Sequence, residues 1–343
     1  MKISDFDYEL PEELIAQEPL ANRTASRMMT VDRLTCKIDD RRFAELPELL
    51  GENDVLVLNN TKVFPARLLG RSETGASVEI FLVKQTGESS WEALAKPARR
   101  LPPGKRIIFN EELFAEVLER KADGLVVVNF RYEGRFEDVL DRIGKTPLPP
   151  YIKRNQDSIN NDRTRYQTVF AKHRGSIAAP TAGLHFTEDV IGEIKKRGIE
   201  IAEITLHVGY GTFEPVRVEN LDDHRVSPET YEITAETAER LELAREQGQR
   251  IVSVGTTTTR ALEDCVTRNG RFVAGRCKAD LTIIPGYKFK VVRALLTNFH
   301  LPKSSLLVLV SAFAGRELIM KVYGRALAEY YRFYSYGDCM FIT

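Results

Sequence analysis

A change of rhythm on either side of a proline-rich connector limits the fold of this chain more than any other feature. Residues 67–141 offer short strand-like runs: 78–83 (VEIFLV), 106–109 (RIIF) and 125–130 (LVVVNF). Glycine and proline turns separate them, as do an acidic segment at 111–119 and a helix-like stretch at 136–142. Short strands at regular spacing with turn signals between them predict a small antiparallel barrel or sandwich. The connector KTPLPPY (145–151) is stiff and extended, because proline fixes its own φ and restricts the residue before it. Beyond it, helix and strand alternate. Thr187 can cap a helix that carries Glu188 and Asp189 in its first turn and Lys195, Lys196 and Arg197 in its last, with Gly198 beyond, which suits the helix dipole at both ends. A strand at 199–206, a helix at 234–247, a strand at 251–254, a helix at 258–266 and a strand at 281–284 follow, then two helices across 304–331 split near Gly315. This texture predicts a mixed or parallel sheet covered by helices.

The run DVLVL (54–58) reads as a buried strand that ends in the polar turn Asn59-Asn60. By texture it belongs with the later α/β part. The expected class is therefore α/β: a larger mixed α/β domain made of 1–66 and 150–343, with a small antiparallel β domain, barrel or sandwich, 67–149, inserted near the N-terminus. With 343 residues, 43% of them apolar, there is material for both cores.

Forty-nine basic and 49 acidic residues leave a formal charge of zero. That excludes binding by bulk positive charge but not by a local basic surface. The basic residues are segregated. Lys96, Arg99, Arg100, Lys105 and Arg106 follow one another with no acid between, and 145–174 holds Lys145, Lys153, Arg154, Arg163, Arg165, Lys172 and Arg174 against Asp157 and Asp162. Solvated loops account for such runs, and so does a track for a phosphate backbone. Cys36, Cys265, Cys277 and Cys339 are scattered, with no metal-ligand spacing, so no metal site and reduced thiols are expected. The N-terminus lacks an apolar signal region, and the longest apolar stretch, 306–314, is about half a bilayer span. The expectation is a cytoplasmic protein without a membrane partner.

Five segments can carry chemistry. RGSIAAPTAGLHFT (174–187) surrounds Thr181, Gly183 and His185 with small residues that let a backbone approach a ligand closely; a tight loop entering a helix explains it equally well. LHVGYGTF (206–213) ends a strand and turns on Gly209 and Gly211 after His207. Ligands of open α/β sheets bind at such strand ends, although Glu214-Pro215 replaces the helix that a dinucleotide fingerprint requires. VGTTTTRALE (254–263) puts Thr256, Thr257, Thr258 and Arg260 at a helix N-terminus, suited to a carboxylate or phosphate, without the spacing of a P-loop. TNFHLPKSS (297–305) places Asn298 and His300 in a turn before an apolar helix. YYRFYSYGD (330–338) packs aromatics around an arginine and ends with Tyr336 and Asp338, a stripe that can stack bases or fill a core. On these residues alone a non-catalytic RNA-binding module and a nucleotide hydrolase using the threonine turn also stand.

LNNTKVFPARL (58–68), RGSIAAPTAGLHFT, LHVGYGTF, VGTTTTRALE, TNFHLPKSSLLVLVSAFAG (297–315) and YRFYSYGD (331–338), in this order, resemble the S-adenosylmethionine:tRNA ribosyltransferase-isomerase family of queuosine biosynthesis. The resemblance spans nearly the whole chain. Two departures stand out. Where the family usually has D-H-x-M-H-x-E, the second histidine is here Ser227, between Asp223-His224 and Glu229, and an aromatic pattern before Pro285-Gly286 is replaced by Thr282-Ile283-Ile284. The resemblance implies an α/β domain carrying an inserted barrel. It also implies transfer and isomerisation of the ribosyl moiety of S-adenosylmethionine onto 7-aminomethyl-7-deazaguanine at the tRNA wobble position, with release of adenine and methionine. S-adenosylmethionine is then a consumed co-substrate, and no separate cofactor is called for.

That chemistry needs a base for the C5′ proton beside the sulfonium and an acid for the departing adenine. On matched positions, His185 and His207 are the acid/base candidates. Thr181, Gly183, Gly209, Gly211, Thr256, Thr257, Thr258, Arg260, Asn298, His300, Tyr336 and Asp338 are the substrate-binding candidates. Arg99, Arg100, Lys105, Arg106, Lys153, Arg154, Arg163, Arg165, Lys172 and Arg174 are the candidates for holding tRNA, and the chain is expected to be monomeric.

Overall fold

A computed structural model describes residues 1–122, 124–154, 161–213 and 216–343, with the side chains of Thr212 and Phe213 also left aside. Asp157, Glu214 and Pro215 lie outside the described residues. The chain groups into two compact units, one of Met1–Lys62, Pro150–Lys153 and Gln167–Thr343, the other of Val63–Pro149 and Arg154–Tyr166.

The larger unit contains β1 (Arg27–Val31), β2 (Ile38–Arg42), α1 (Leu46–Leu49) and β3 (Asp54–Asn59), and β4 (Thr61–Val63) begins at its edge. The smaller unit contains β5 (Arg67–Ser72), β6 (Ser77–Gln85), β7 (Ser90–Lys96), β8 (Arg106–Ile108), β9 (Phe114–Arg120), β10 (Val126–Arg131), α2 (Phe136–Ile143) and α3 (Asp162–Arg165). The larger unit then resumes with β11 (His173–Ser176), α4 (Glu188–Lys196), β12 (Glu200–His207), β13 (Glu229–Ile233), α5 (Ala235–Glu246), β14 (Arg250–Val254), α6 (Thr256–Asn269), β15 (Gly275–Ala279), β16 (Val292–Asn298), α7 (Ser305–Ala314), α8 (Arg316–Ala328) and β17 (Cys339–Ile342).

In the smaller unit, β10-β7-β6-β5-β8-β9 close into an antiparallel barrel. Its interior takes alternate residues such as Ile80, Leu82, Val117, Val126 and Val128, all buried, and α2 brings Phe136 to 4.9 Å from Phe130. Residues 111–119, whose acidity suggested a spacer between strands, contribute β9 instead. Ala115 and Val117 point inward while Glu116 and the residues after Leu118 stay in solvent, a two-residue alternation that the glutamates disguise.

In the larger unit the sheet order is β15-β13-β12-β3-β14-β16-β17-β1-β2. Parallel pairing joins β12, β3, β14 and β16, and β17 to β1. Antiparallel strands complete both edges, so the sheet is mixed. DVLVL is apolar at every position because β3 lies mid-sheet with both faces covered. Val55 and Val57 join the core under α5, α6, α7 and α8, and Leu56 and Leu58 join the core under α1 and α4. The helix caps follow the sequence signals: Thr187 accepts the Val190 amide, Thr234 that of Thr237 and Ser304 that of Leu307.

Residues 281–284 do not form a strand. Ile283 is buried in a non-repetitive segment that packs on the core, while the exposed run at β15 takes the sheet edge beside β13. Apolar character reported burial there, not ladder pairing. No helix among the described residues is long and apolar enough to cross a membrane, and no cluster of His, Cys, Asp or Glu among them could hold a metal ion.

Candidate functional site

The larger unit holds a cavity of about 310 Å³. Its wall is built by Gly211, Arg217 and Val218 beyond β12, by residues 223–227, by Thr256, Thr257 and Arg260 of α6, by Leu281, Thr282 and Ile283, and by Ser305, Leu306 and Leu309 of α7. Of the residues at which the chain departs from the pattern of the family it resembles, Ser227, Thr282 and Ile283 stand on this wall and Ile284 does not.

The sharp turn into α6 depends on Gly255, whose φ of 91° is open to glycine without strain, and no side chain caps the helix. The first-turn amides of α6 thus carry the partial positive charge of a helix start beside Thr256 and Thr257. The four threonines divide their work. Thr258, predicted as a substrate contact, is fully buried and turned away, its hydroxyl donating to Val254 O at 2.7 Å, and Thr259 bonds Ser253 Oγ at 2.9 Å. Such back-bonding is what hydroxyls do inside a helix. Arg260 reaches the wall already paired with buried Glu229, whose other oxygen accepts the Gly209 amide at 2.9 Å. Gly211 must be glycine, because a Cβ there would lie 2.5 Å from Ser227 Cβ. Thr282 Oγ1 accepts the Val226 amide at 3.2 Å. His224 Nε2 is buried without a partner among the described residues, and burial with nearby Arg225 holds that imidazole below its ordinary pKa.

The structure gives the two acid/base candidates different surroundings. His185 lies in the core, ring against Phe43, with Nδ1 at 3.0 Å from Ser26 Oγ and Nε2 at 3.0 Å from Asn298 Nδ2. Asn298 also donates to Asp338 O at 3.3 Å, and the Asp338 carboxylate accepts the Arg27 and Arg332 amides, both at 2.8 Å. His185, Asn298 and Asp338 thus form one buried network, away from the cavity wall. Burial, then the charges of Arg23 and Arg332, push His185 down to about 3, so the ring stays neutral. His300 is pushed down to about 3 by burial and holds Thr297 Oγ1 at 2.8 Å. Thr181 is half-buried at a short turn, Gly183 packs where a Cβ would meet Phe170 and Thr168 at 2.8 and 2.9 Å, and Tyr336 is buried.

These two histidines make stability depend on pH. The unfolded chain binds a proton on each near pH ~6.5, and the folded protein refuses it down to about 3. Their contribution is complete above ~6.5 and is lost as the pH falls toward 3. Between pH 7 and pH 5 the protein is expected to lose on the order of 1–2 kcal/mol more than His300→Gln does, a difference read from urea midpoints at the two pH values.

His207 ends β12 on the face that carries Glu203 and Thr205, opposite to buried Leu206. Nδ1 bonds Thr61 Oγ1 at 2.8 Å, and Nε2 has no hydrogen bond among the described residues. Burial first, then Arg276 and His173, lower its pKa against an opposing effect of Glu232. The ring rests on Gly175, where a Cβ would come within 2.6 Å of Cε1. Gly175→Ala, strained at a φ of 156° as well as clashing with the ring, is therefore expected to displace the imidazole, to lower turnover at least ~10-fold and to lower the melting temperature too, read from single-turnover assays and a thermal melt.

The basic candidates also divide. In the smaller unit, Arg99 and Arg100 are exposed and make no ion pair among the described residues, Lys105 pairs with Glu73 at 3.6 Å and Arg106 lies over the Phe114 ring at 3.8 Å. Arg154 forms a buried two-pronged bond to Asp162 at 2.8 and 2.9 Å, and Arg163 pairs with Asp141 at 3.1 Å. In the larger unit, Lys153 pairs with Glu12 and Lys172 with Glu203. Arg165 and Arg174 are half-buried. In the second basic run Lys153, Arg163 and Lys172 are thus matched by acids outside it and Arg154 by Asp162 within it, while the first keeps free charge at Arg99 and Arg100.

Sequence reasoning passed over Glu229, Arg217 and the apolar wall of Leu306 and Leu309. An acid that begins a strand looks solvated until its partner is known, and α7 looks like plain core.

The chain matches the family model described as queuosine biosynthesis protein over residues 3–342. It is 50% identical over 344 residues to the S-adenosylmethionine:tRNA ribosyltransferase-isomerase of Desulfitobacterium hafniense, covering 100% of both chains. The protein of the same name from Natranaerobius thermophilus is 50% identical over 345 residues, covering 100% of this chain and 99% of that one. Among solved structures, the S-adenosylmethionine tRNA ribosyltransferase of Thermotoga maritima shares 38% identity with a TM-score of 0.57, covering 99% of this chain and 100% of that one. With matches that run from end to end, this chain belongs to the queuosine biosynthesis protein family.

Proposed function

We propose that this chain is an S-adenosylmethionine:tRNA ribosyltransferase-isomerase. It transfers the ribosyl moiety of S-adenosylmethionine to the aminomethyl group of 7-aminomethyl-7-deazaguanine at the tRNA wobble position and rearranges the sugar, giving epoxyqueuosine-tRNA and releasing adenine and methionine. The observation that carries this reading is the cavity. Segments far apart in sequence, several of them the motifs of the resemblance, meet there around an uncapped helix start, with hydroxyls, cations and an apolar side. That combination suits a small zwitterionic ligand with a carboxylate at one end and apolar surface elsewhere. The names of the relatives point the same way, and none of those named above is a nucleotide hydrolase or a non-catalytic RNA-binding module.

In this reading Thr256 and Thr257 receive the methionine carboxylate at the start of α6. His207 takes the C5′ proton, acidified by the adjacent sulfonium, on Nε2, while Thr61 holds Nδ1 and sets the ring. His185 stays neutral and orients Asn298. The wobble base leaves its stack to be reached, and Arg99 and Arg100 meet tRNA phosphates. The test is to incubate the protein with S-adenosylmethionine and tRNA bearing the deazaguanine, and to follow adenine and methionine. Release that requires both substrates is expected; its absence overturns the reading.

A further inference from the structure

Arg260 comes to the cavity wall carrying its own counter-charge. The partner, Glu229, is buried, does not itself line the cavity, and uses one oxygen for Arg260 and the other for the Gly209 amide at 2.9 Å. It thereby joins the segment beyond β12, which supplies Gly211 to the wall, to the first turns of α6, which supply Thr256, Thr257 and Arg260. A guanidinium left unmatched in such a wall would be a buried positive charge, acting over short distances in a medium of low dielectric. S-adenosylmethionine carries a sulfonium and an ammonium against one carboxylate, a net charge of plus one. An unmatched Arg260 would oppose its entry far more than that of the neutral thioether.

We propose that Glu229 is a positioning and specificity-determining residue: by neutralising Arg260 inside the wall and holding the loop beyond β12, it lets the cavity accept a sulfonium in preference to a thioether. This rests on the reading of the cavity as the S-adenosylmethionine site.

The test is calorimetric titration of the intact chain with S-adenosylmethionine and with S-adenosylhomocysteine, which differs by lacking the charged, methylated sulfur. The quantity of interest is the ratio of the two Kd values. Glu229→Gln keeps the size of the side chain and an acceptor for Gly209 but removes the charge, and is expected to shift the ratio about tenfold toward the thioether. Arg260→Gln removes the guanidinium from beside the carboxylate and is expected to shift it the opposite way. The double variant should return close to the original ratio. A merely structural role would weaken both ligands alike, so a ratio unchanged within about twofold in both single variants overturns the proposal. If Glu229→Gln does not fold, Arg260→Gln carries the same test with the sign reversed. An unaltered chain that binds neither compound overturns the functional reading and the proposal together, whereas binding with an unchanged ratio in the variants overturns only the role of Glu229.

Discussion

Replacing His207 with glutamine is expected to slow turnover by roughly 10²- to 10⁴-fold, the range for loss of a positioned acid or base, with little change in the affinity for S-adenosylmethionine. The glutamine amide can keep the bond to Thr61 Oγ1, and the site is only half-buried, so the fold should survive. Single-turnover release of adenine measures the effect. The pH profile gives a second check. A base acts in its neutral form, and His207 is held below the ordinary imidazole value of ~6.5 by burial and the cations around it. It is neutral throughout the physiological range, and turnover is expected to fall only as the pH drops below that value, through the lowered pKa. In His207→Gln this acidic limb should disappear. Turnover within a few-fold of the unaltered chain would remove His207 from proton transfer.

The largest loss of stability is expected from Glu263. This carboxylate on α6 is fully buried and has no cation beside it in the hydrogen-bond pattern. It accepts the amides of Lys290 at 2.8 Å, Val291 at 3.0 Å and Val292 at 2.9 Å and the Tyr287 hydroxyl at 2.9 Å. Four donors converge on two oxygens, fastening α6 to the segment that leads into β16. Glu263→Leu leaves the Val291 and Val292 amides buried without this acceptor and takes it from the Lys290 amide and the half-buried Tyr287 hydroxyl, which keeps Thr267 Oγ1 at 3.0 Å, and is expected to cost about 3–5 kcal/mol. Glu263→Gln turns an amide group toward amide donors and should cost about 2 kcal/mol or more. Urea denaturation of the two variants measures both. A loss under ~1 kcal/mol for Glu263→Leu would mean that the segment finds other acceptors. Because Thr256, Thr257 and Arg260 sit on the same helix, the glutamine variant is also expected to weaken S-adenosylmethionine binding under conditions where it remains folded.

Local rules were enough for much of the architecture. DVLVL announced a strand with both faces covered, and β3 has residues of alternating parity in two separate cores. Thr187 and Thr234 each announced a helix start and each accepts the amide expected of a cap. Where local rules failed, a pattern was masked or was ambiguous. The glutamates of β9 hid its alternation, and residues 281–284 were apolar for packing on the core, not for pairing in a sheet.

The candidate site shows the same division. Sequence alone determined which segments could carry chemistry and what residue types they offer: hydroxyls at a helix start in the threonine run, imidazoles at a strand end and in a small-residue loop, and a β-rich insert in an α/β chain. Those properties reside in residue types and short spacings, which chain neighbours impose. Only the tertiary structure decided which of these groups meet. It carried Thr256 and Thr257 to a cavity and turned Thr258 inward, buried His185 with both nitrogens bonded while leaving Nε2 of His207 open, and matched Arg260 with Glu229, 31 residues earlier in the chain. Burial and charge pairing are sums over neighbours that the fold assembles, so no window of sequence contains them.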